Sequence, residues 1–362
     1  MNLLLTCGGA RSYLLQILRA AVGAGGRVLT CDSAPDAPAL QHADKGLLVP
    51  DIADPGHLGA LLELCRKERI DLLIPSMEHE LPLLAAHRAD FAAVGTTILV
   101  STPGVVETCG DKLEAAAFLT ASGVAVPRTW LSVEDARDAL SRGDLTFPVV
   151  VKPRWGVSSI GLSFPEDEDE LRLAWAVTRR IVARSSLAAL SAADAERSVL
   201  IQERVAGDEY GFDVVNDLRG RHVTTLVRRK LRMRAGQTDR AEAVRHQTIE
   251  AIGERIGRRL GHVGVLDCDA IATASSCCVL DINPRIGGGY PFSHLAGADI
   301  PAALVAWMQG DEPDPAWLQT IAGIKGARYD GFLLLNGADS AAAAKSVGSV
   351  GSGFPDHEMR LT

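Results

Sequence analysis

Three short apolar runs near the start, NLLLT (2–6), RVLTC (27–31) and IDLLIP (70–75), alternate with stretches of helical character. Strand–helix alternation at such short spacing builds parallel β-α-β units, which require a buried sheet covered by helices. The first run leads through Gly8–Gly9 into a helical stretch from about Ser12 to Ala24, and the second ends at Asp32. A helix opened by Asp54–Pro55 precedes the third. The turn CGGARS has two glycines rather than the three of G-x-G-x-x-G, so a nicotinamide dinucleotide is not the expected ligand, although Asp32 could contact a ribose. The third run delivers PSMEHELP at its carboxyl end, where open α/β sheets bind ligands. Glu78 and His79 are therefore candidate substrate contacts; capping and solvating the next helix is the alternative.

From about Ser101 the pattern changes. Two short helices follow, the second N-capped by Asp111. After Pro127 come the β-rich segments FPVVVKP, SVLIQERV, EYGFDVV and HVTTLVRRK, and then a helix with Ile249, Ile252, Ile256 and Leu260 on one face. Two strands, GVLDCDAIA and CCVLDIN, and a helix near 299–309 complete an α+β region with a largely antiparallel sheet. The tail from about Asp311 is richer in Gly, Ala and Ser, and SAAAAKSVGSVGSGFPDHE is expected to be weakly structured.

Composition narrows the function class. Hydrophobic residues at 47% and charged ones at 23% describe an ordinary globular protein. A net charge of -8 argues against nucleic acid as a partner. Seven cysteines without a C-x-x-C pattern point to a reducing compartment, and adjacent Cys277 and Cys278 to buried packing. The start lacks a basic segment followed by a signal-peptide core, and no run approaches the roughly 18 apolar residues of a membrane span. The expectation is a cytoplasmic protein with no membrane partner.

The chemistry concentrates in the two closing strands. Alternation puts Asp267 and Asp269 on one strand face and Asp281 and Asn283 on another. If the strands pair as a hairpin, their oxygens converge, and carboxylates that close repel unless a cation sits among them. Hard oxygen donors select Mg²⁺, with Mn²⁺ as a substitute, and Mg²⁺ keeps positions open for phosphate oxygens. Phosphates in turn call for cations and backbone N–H groups. Lys152 stands at a strand end before the small-residue stretch containing Ser158 and Ser159, and Lys112 follows the cap Asp111. The run RRKLRMR, with Lys230, Arg232 and Arg234, reverses the sign of an acidic chain and suggests an anionic ligand, a solvated edge strand being the alternative. No P-loop motif is present.

The order Lys112, VVVKP…GVSSIGL, IQERVAGDEYGFD, GVLDCDA and LDINPRIGGG resembles the ATP-grasp superfamily, and within it the carbamoyl-phosphate-synthetase-like carboxylate–amine ligases. The resemblance covers roughly residues 1–310. It implies a Rossmann-like pre-grasp domain over 1–105 and an ATP-grasp domain over 106–310, with a small lid subdomain about 115–205 and a larger catalytic part about 206–310. A C-terminal extension, partly flexible, would occupy 311–362. Lys112 and Lys152 would contact ATP phosphates, Glu203 and the backbone near Val205 the adenine, and Glu209 the ribose. Lys230 would approach the triphosphate. Asp269, Asp281 and Asn283 would hold Mg²⁺, and Arg285 would face the transferring phosphoryl group or acyl phosphate. The turn with Gly287 and Gly288 would let backbone N–H groups meet a substrate carboxylate. Family members usually carry Glu or Gln in place of Asp269 and Glu in place of Asp281, so the metal must sit closer to the strand or be reached through water.

The implied reaction joins a carboxylate to an amine, amino acids being the expected substrates, with release of ADP and phosphate. Another ATP-grasp chemistry, carboxylation or phosphoryl transfer, and a non-catalytic nucleotide- or amino-acid-binding module are the alternatives. A homodimer is the default assembly for an enzyme of this size.

Overall fold

A computed structural model of the chain describes residues 1–156, 160–185, 187–273 and 276–335. Strands β1 (Asn2–Thr6), β2 (Arg27–Asp32), β3 (Lys45–Leu48), β4 (Leu72–Pro75) and β5 (Thr97–Ile98) form a parallel sheet in the order β3-β2-β1-β4-β5. Its faces follow from strand alternation. Leu3 and Leu5 meet Leu14, Leu15 and Leu18 of the helix Ser12–Val22, whereas Leu4 faces Leu61 and Cys65 of the helix His57–Glu68. The chain leaves β1 toward β2 and returns to add β4 on the other side, so the carboxyl ends of β1 and β4 flank a topological switch point. Asp32 accepts hydrogen bonds from the Gly9 and Ala34 N–H groups at 2.8 and 2.9 Å, so it fixes the glycine turn.

Strands β6 (Thr129–Trp130), β7 (Val149–Pro153) and β8 (Val199–Glu203) form a small antiparallel sheet in the order β6-β8-β7. The helices Val133–Ser141 and Glu168–Arg184 pack on it through Ala136, Ala139, Leu171 and Val182. The longer of the two falls in a region read from sequence as β-rich. Asp167 starts it by accepting the Glu170 N–H at 2.9 Å.

The larger antiparallel sheet has six strands: β9 (Asp208–Asn216), β10 (His222–Arg234), β11 (Gln237–Val244), β12 (Gly264–Ala272), β13 (Cys277–Asn283) and β14 (Lys325–Ala327). Their order is β13-β12-β9-β10-β11-β14. The helix Gln247–Leu260 covers one face through Ile249, Ile252 and Ile256, as its periodicity predicts. Val215, Leu226 and Val265 from the other face join Tyr290, Ile300 and Leu304 in the core that also holds Leu3 and Leu5. The parallel and antiparallel sheets thus share one hydrophobic core.

Residues 311–329, grouped in the sequence reading with a C-terminal extension, contribute the turn Pro315–Leu318 and β14, and Met1–Tyr329 forms one compact unit. Residues 330–335 carry no helix or strand, and the Gly/Ala/Ser-rich end, 336–362, lies outside the described residues. No described helix is long and apolar enough to cross a membrane.

Candidate active site

The site grows from the hairpin of β12 and β13. Asp269 pairs with Asp281 and Asp267 with Asn283; the register shifts between Asp269 and Ala270, leaving Leu280 as the extra residue of a bulge. The bulge brings Asp281 and Asn283 onto the face that carries Asp267 and Asp269. Across the next ladders Asp267 pairs with Asp213, Asp269 with Gly211, and Gly211 with Arg228. With a period of two, Glu209, Asp213, Arg228, Lys230, Asp267, Asp269, Asp281 and Asn283 all share one face of the sheet.

Two charge clusters divide that face. In the first, the Lys230 ammonium lies 2.7 Å from Asp269 and 2.8 Å from Glu209. Lys112, first residue of the helix Lys112–Ala121, donates to the Gly156 carbonyl at 3.0 Å and stands 3.6 Å from Asp281. Lys152, half-buried near the end of β7, senses Lys112, Asp281 and Asp269. Burial, reinforced by Lys112, pulls the Lys152 ammonium down to about 8. For Lys230, burial works against the charge, but Asp269 and Glu209 outweigh it and raise the pKa. Burial raises the Asp269 carboxyl against the opposing pull of Lys230. Three lysines from three elements therefore converge on a carboxylate pair.

The second cluster is an ion-pair chain that the sequence reading did not anticipate. Arg228 is 1% exposed and donates to Asp213 at 2.5 Å and to Asp267 at 3.0 Å. Asp267 also accepts from Arg285 at 2.9 Å, and Arg285 Nε donates to Glu78 at 2.7 Å. Asp267 is thus an arginine clamp between two guanidinium groups. Arg228 is fully buried and neutralised, whereas Arg232 and Arg234 of the same basic run are exposed. Arg285 is engaged by Glu78 and Asp267; burial disfavours its charge, but the two carboxylates prevail and raise its pKa.

The glycines serve this packing. A Cβ on Gly287 would overlap the Asp267 carboxylate, one on Gly289 would overlap the Arg228 guanidinium, and one on Gly211 would come within 2.9 Å of Arg228 Nε. A Cβ on Gly288 would meet nothing within 4 Å. Gly287 thus leaves room for the Asp267 carboxylate to approach the backbone of this turn.

The remaining candidates are dispersed. Glu203, at the end of β8, accepts from the Arg128 backbone N–H at 2.9 Å and from Arg128 Nε at 2.7 Å, and Val205 lies half-buried just beyond it. Arg232 and Arg234 are on the exposed arm of β10 beyond Lys230, 3.7 and 3.0 Å from Asp239. His79 is half-buried, with a ring nitrogen that is buried and without a hydrogen-bond partner. Its neighbour Glu80 turns inward, 3.5 Å from His57 and bonded to Thr6. Ser158 and Ser159 lie outside the described residues. Among the described residues no three His, Cys, Asp or Glu side chains group as a metal site by themselves. Sequence reasoning passed over Asp213 and Arg154 and took Arg228 only as one of a basic run facing an anionic ligand; applying the period of two to EYGFDVV and VRRK would have put Asp213 and Arg228 on the face of Glu209 and Lys230.

Comparison with known proteins agrees with this architecture. Residues 3–99 match the family model "PylC-like, N-terminal domain", and residues 195–329 match "ATP-grasp in the biosynthetic pathway with Ter operon". The carbamoyl phosphate synthase large chain of Campylobacter jejuni is 25% identical over 282 residues, covering 75% of this chain but 24% of its own length. A formate-dependent phosphoribosylglycinamide formyltransferase from a Synechococcus strain is 30% identical over 162 residues, 44% of this chain and 39% of the relative. The chain thus spans well under half of these relatives. Among solved structures, a Campylobacter jejuni biotin carboxylase in a β,γ-ATP complex superposes with a TM-score of 0.69 at 15% identity, covering 88% of this chain and 73% of that one. Staphylococcus aureus N5-carboxyaminoimidazole synthetase complexed with ADP gives a TM-score of 0.63 at 15% identity, covering 86% and 78%.

Proposed function

Because the chain belongs to the ATP-grasp superfamily, we propose that it uses ATP and Mg²⁺ to activate a small carboxylate as an acyl phosphate and transfers the acyl group to an amine. An amino acid is the proposed acid or amine. The observation that carries this reading is the convergence of Lys112, Lys152 and Lys230 on the paired carboxylates Asp269 and Asp281.

The donor set fits the ion. Two carboxylates facing each other across a ladder, with the Asn283 amide next on the same face, offer hard oxygens without enclosing a cation. Mg²⁺ is commonly held in this way, by one or two carboxylates plus substrate phosphates. When bound, it would neutralise phosphate charge and make the γ-phosphorus more electrophilic.

The protein's own residues have defined tasks in this reading. Lys112, Lys152 and Lys230 would exchange their carboxylate and carbonyl partners for phosphate oxygens, lowering the repulsion between two anionic reactants. Glu203 and the backbone near Val205 would meet the base, and Glu209 the ribose. Arg285, already aimed by Asp267, would take the substrate carboxylate or its phosphorylated product. A carboxylate oxygen forms a bond to the γ-phosphorus as the bond to the β,γ-bridging oxygen breaks, releasing ADP. The amine then attacks the acyl carbon, phosphate leaves, and the amine proton passes to solvent or a base. Glu78 and His79, at the switch point of the parallel sheet, would frame the acid or amine.

The test is an ADP-release screen over pairs of amino acids and small acids, with the mass of each product measured. ADP release that requires both an acid and an amine, with a condensed product, supports the ligase. Lys152→Ala and Asp281→Ala should each lower turnover by at least about a hundredfold. The likeness to biotin carboxylase and N5-carboxyaminoimidazole synthetase favours a second reading, carboxylation with bicarbonate, which would appear as bicarbonate-dependent ADP release and a carboxylated product. No ADP release with any pair would favour a binding module.

A further inference from the structure

One guanidinium outside both charge clusters joins the start of the helix that carries Lys112, the end of the strand that carries Lys152, and the turn that leads into β8. Arg154 is 8% exposed and follows β7 directly, two residues after Lys152. Its Nε lies 2.8 Å from one Asp111 oxygen, and its Nη2 2.6 Å from the other. Its Nη1 donates to Asp194 at 2.8 Å, and its plane lies over the Trp155 ring, 4.3 Å from the centroid. Asp111 is itself the N-cap of the helix Lys112–Ala121, accepting the Leu113 N–H at 2.9 Å. Asp194 belongs to the turn Ala192–Arg197 that leads into β8. The backbone repeats the junction: Lys112 N–H donates to the Arg154 carbonyl at 3.4 Å, and Arg154 N–H to the Ser198 carbonyl at 2.9 Å.

We propose that Arg154 is a positioning residue that holds Lys112 and Lys152 at one fixed separation, so that both reach the phosphates of the same nucleotide. The proposal rests on the nucleotide-binding reading above. Two like-charged lysines repel, and nothing intrinsic to a helix start and a strand end keeps them together. A planar guanidinium can bond one carboxylate with two nitrogens and a second carboxylate with the third. Lysine at this position retains the charge but cannot span both Asp111 and Asp194. The Arg154 guanidinium bonds Asp111 and Asp194 and meets Lys112 through the backbone, so its influence on the ligand passes through backbone and cap.

The experiment measures MgATP affinity by titration calorimetry for the full chain, Arg154→Lys, Lys112→Ala and the double variant, with thermal melts confirming that each is folded. Arg154→Lys should weaken MgATP binding at least about tenfold in the otherwise natural chain, but less than about threefold when Lys112 is already alanine, because coupled residues are non-additive. If Arg154→Lys does not fold, Asp194→Asn, which removes only the more exposed arm of the clamp, carries the same comparison with a loss of about threefold. An unchanged affinity, or an equal loss in both backgrounds, overturns the proposal, since a merely structural residue would act independently of Lys112. A natural chain that does not bind MgATP overturns the nucleotide reading itself and the proposal with it.

Discussion

Glu78 and Arg285 are 207 residues apart in sequence, yet Arg285 donates from Nε to Glu78 at 2.7 Å, joining the switch point of the parallel sheet to the end of β13. The contact continues through Asp267 to Arg228 and Asp213, so the end of the parallel sheet and the interior of the larger antiparallel sheet share one ion-pair chain. Paired guanidinium and carboxylate groups tolerate burial only because each satisfies the other.

Glu78→Gln keeps the shape and removes the charge. Arg285 would retain Asp267, so the cost to stability should be about 1–3 kcal/mol, below that of stranding a buried charge outright. Acid- and amine-dependent ADP release should fall about tenfold while MgATP affinity stays within about twofold, because the proposed function puts Glu78 on the substrate side. Steady-state assays beside nucleotide titration check this; a matching loss of MgATP affinity would count against the assignment.

Lys152 gives the site a pH dependence. Its pKa of about 8 in the free protein would be raised by a bound triphosphate. Above about pH 8 the complex then holds a proton that the free protein has shed, so affinity falls as pH rises, approaching tenfold per unit, and is flat with respect to this group below it. Titrations between about pH 7.5 and about pH 10 should reveal that break, and Lys152→Arg should remove it because arginine stays charged.

The glycine run makes a stability prediction. Gly289→Ala would push a Cβ into a guanidinium that two carboxylates prevent from moving, costing about 2–3 kcal/mol. Gly288→Ala, with open space around it, should change stability by less than about 0.5 kcal/mol. Thermal melts of the two variants make the comparison. Equal melting temperatures would mean that Arg228 is not held as tightly as its partners imply.

The contrast between those neighbours also marks what could be read from the amino-acid sequence. Asp269 opposite Asp281 was legible, because period-two alternation and a hairpin of two acidic strands suffice to bring carboxylates together. The clamp role of Asp267 was not: it depends on Asp213 and Arg228, and thus on β12 lying beside β9 rather than on anything local to its own strand. β11 escaped notice because the buried residues of QTDRAEAV include Thr238, Ala241 and Ala243, which are too small or polar to register as a strand pattern. Arg154 was hidden by its setting, since an arginine after a strand end reads as solvated until Asp111 and Asp194 are seen to enclose it.

The central claim is that ATP phosphorylates a carboxylate, and oxygen tracing tests it directly. With the acid that supports ADP release labelled with ¹⁸O in its carboxylate, the released phosphate should carry one ¹⁸O, because the acyl phosphate breaks between the acyl carbon and the bridging oxygen. Unlabelled phosphate formed alongside stoichiometric product would contradict the account, since the acid's oxygen would never have been bonded to phosphorus.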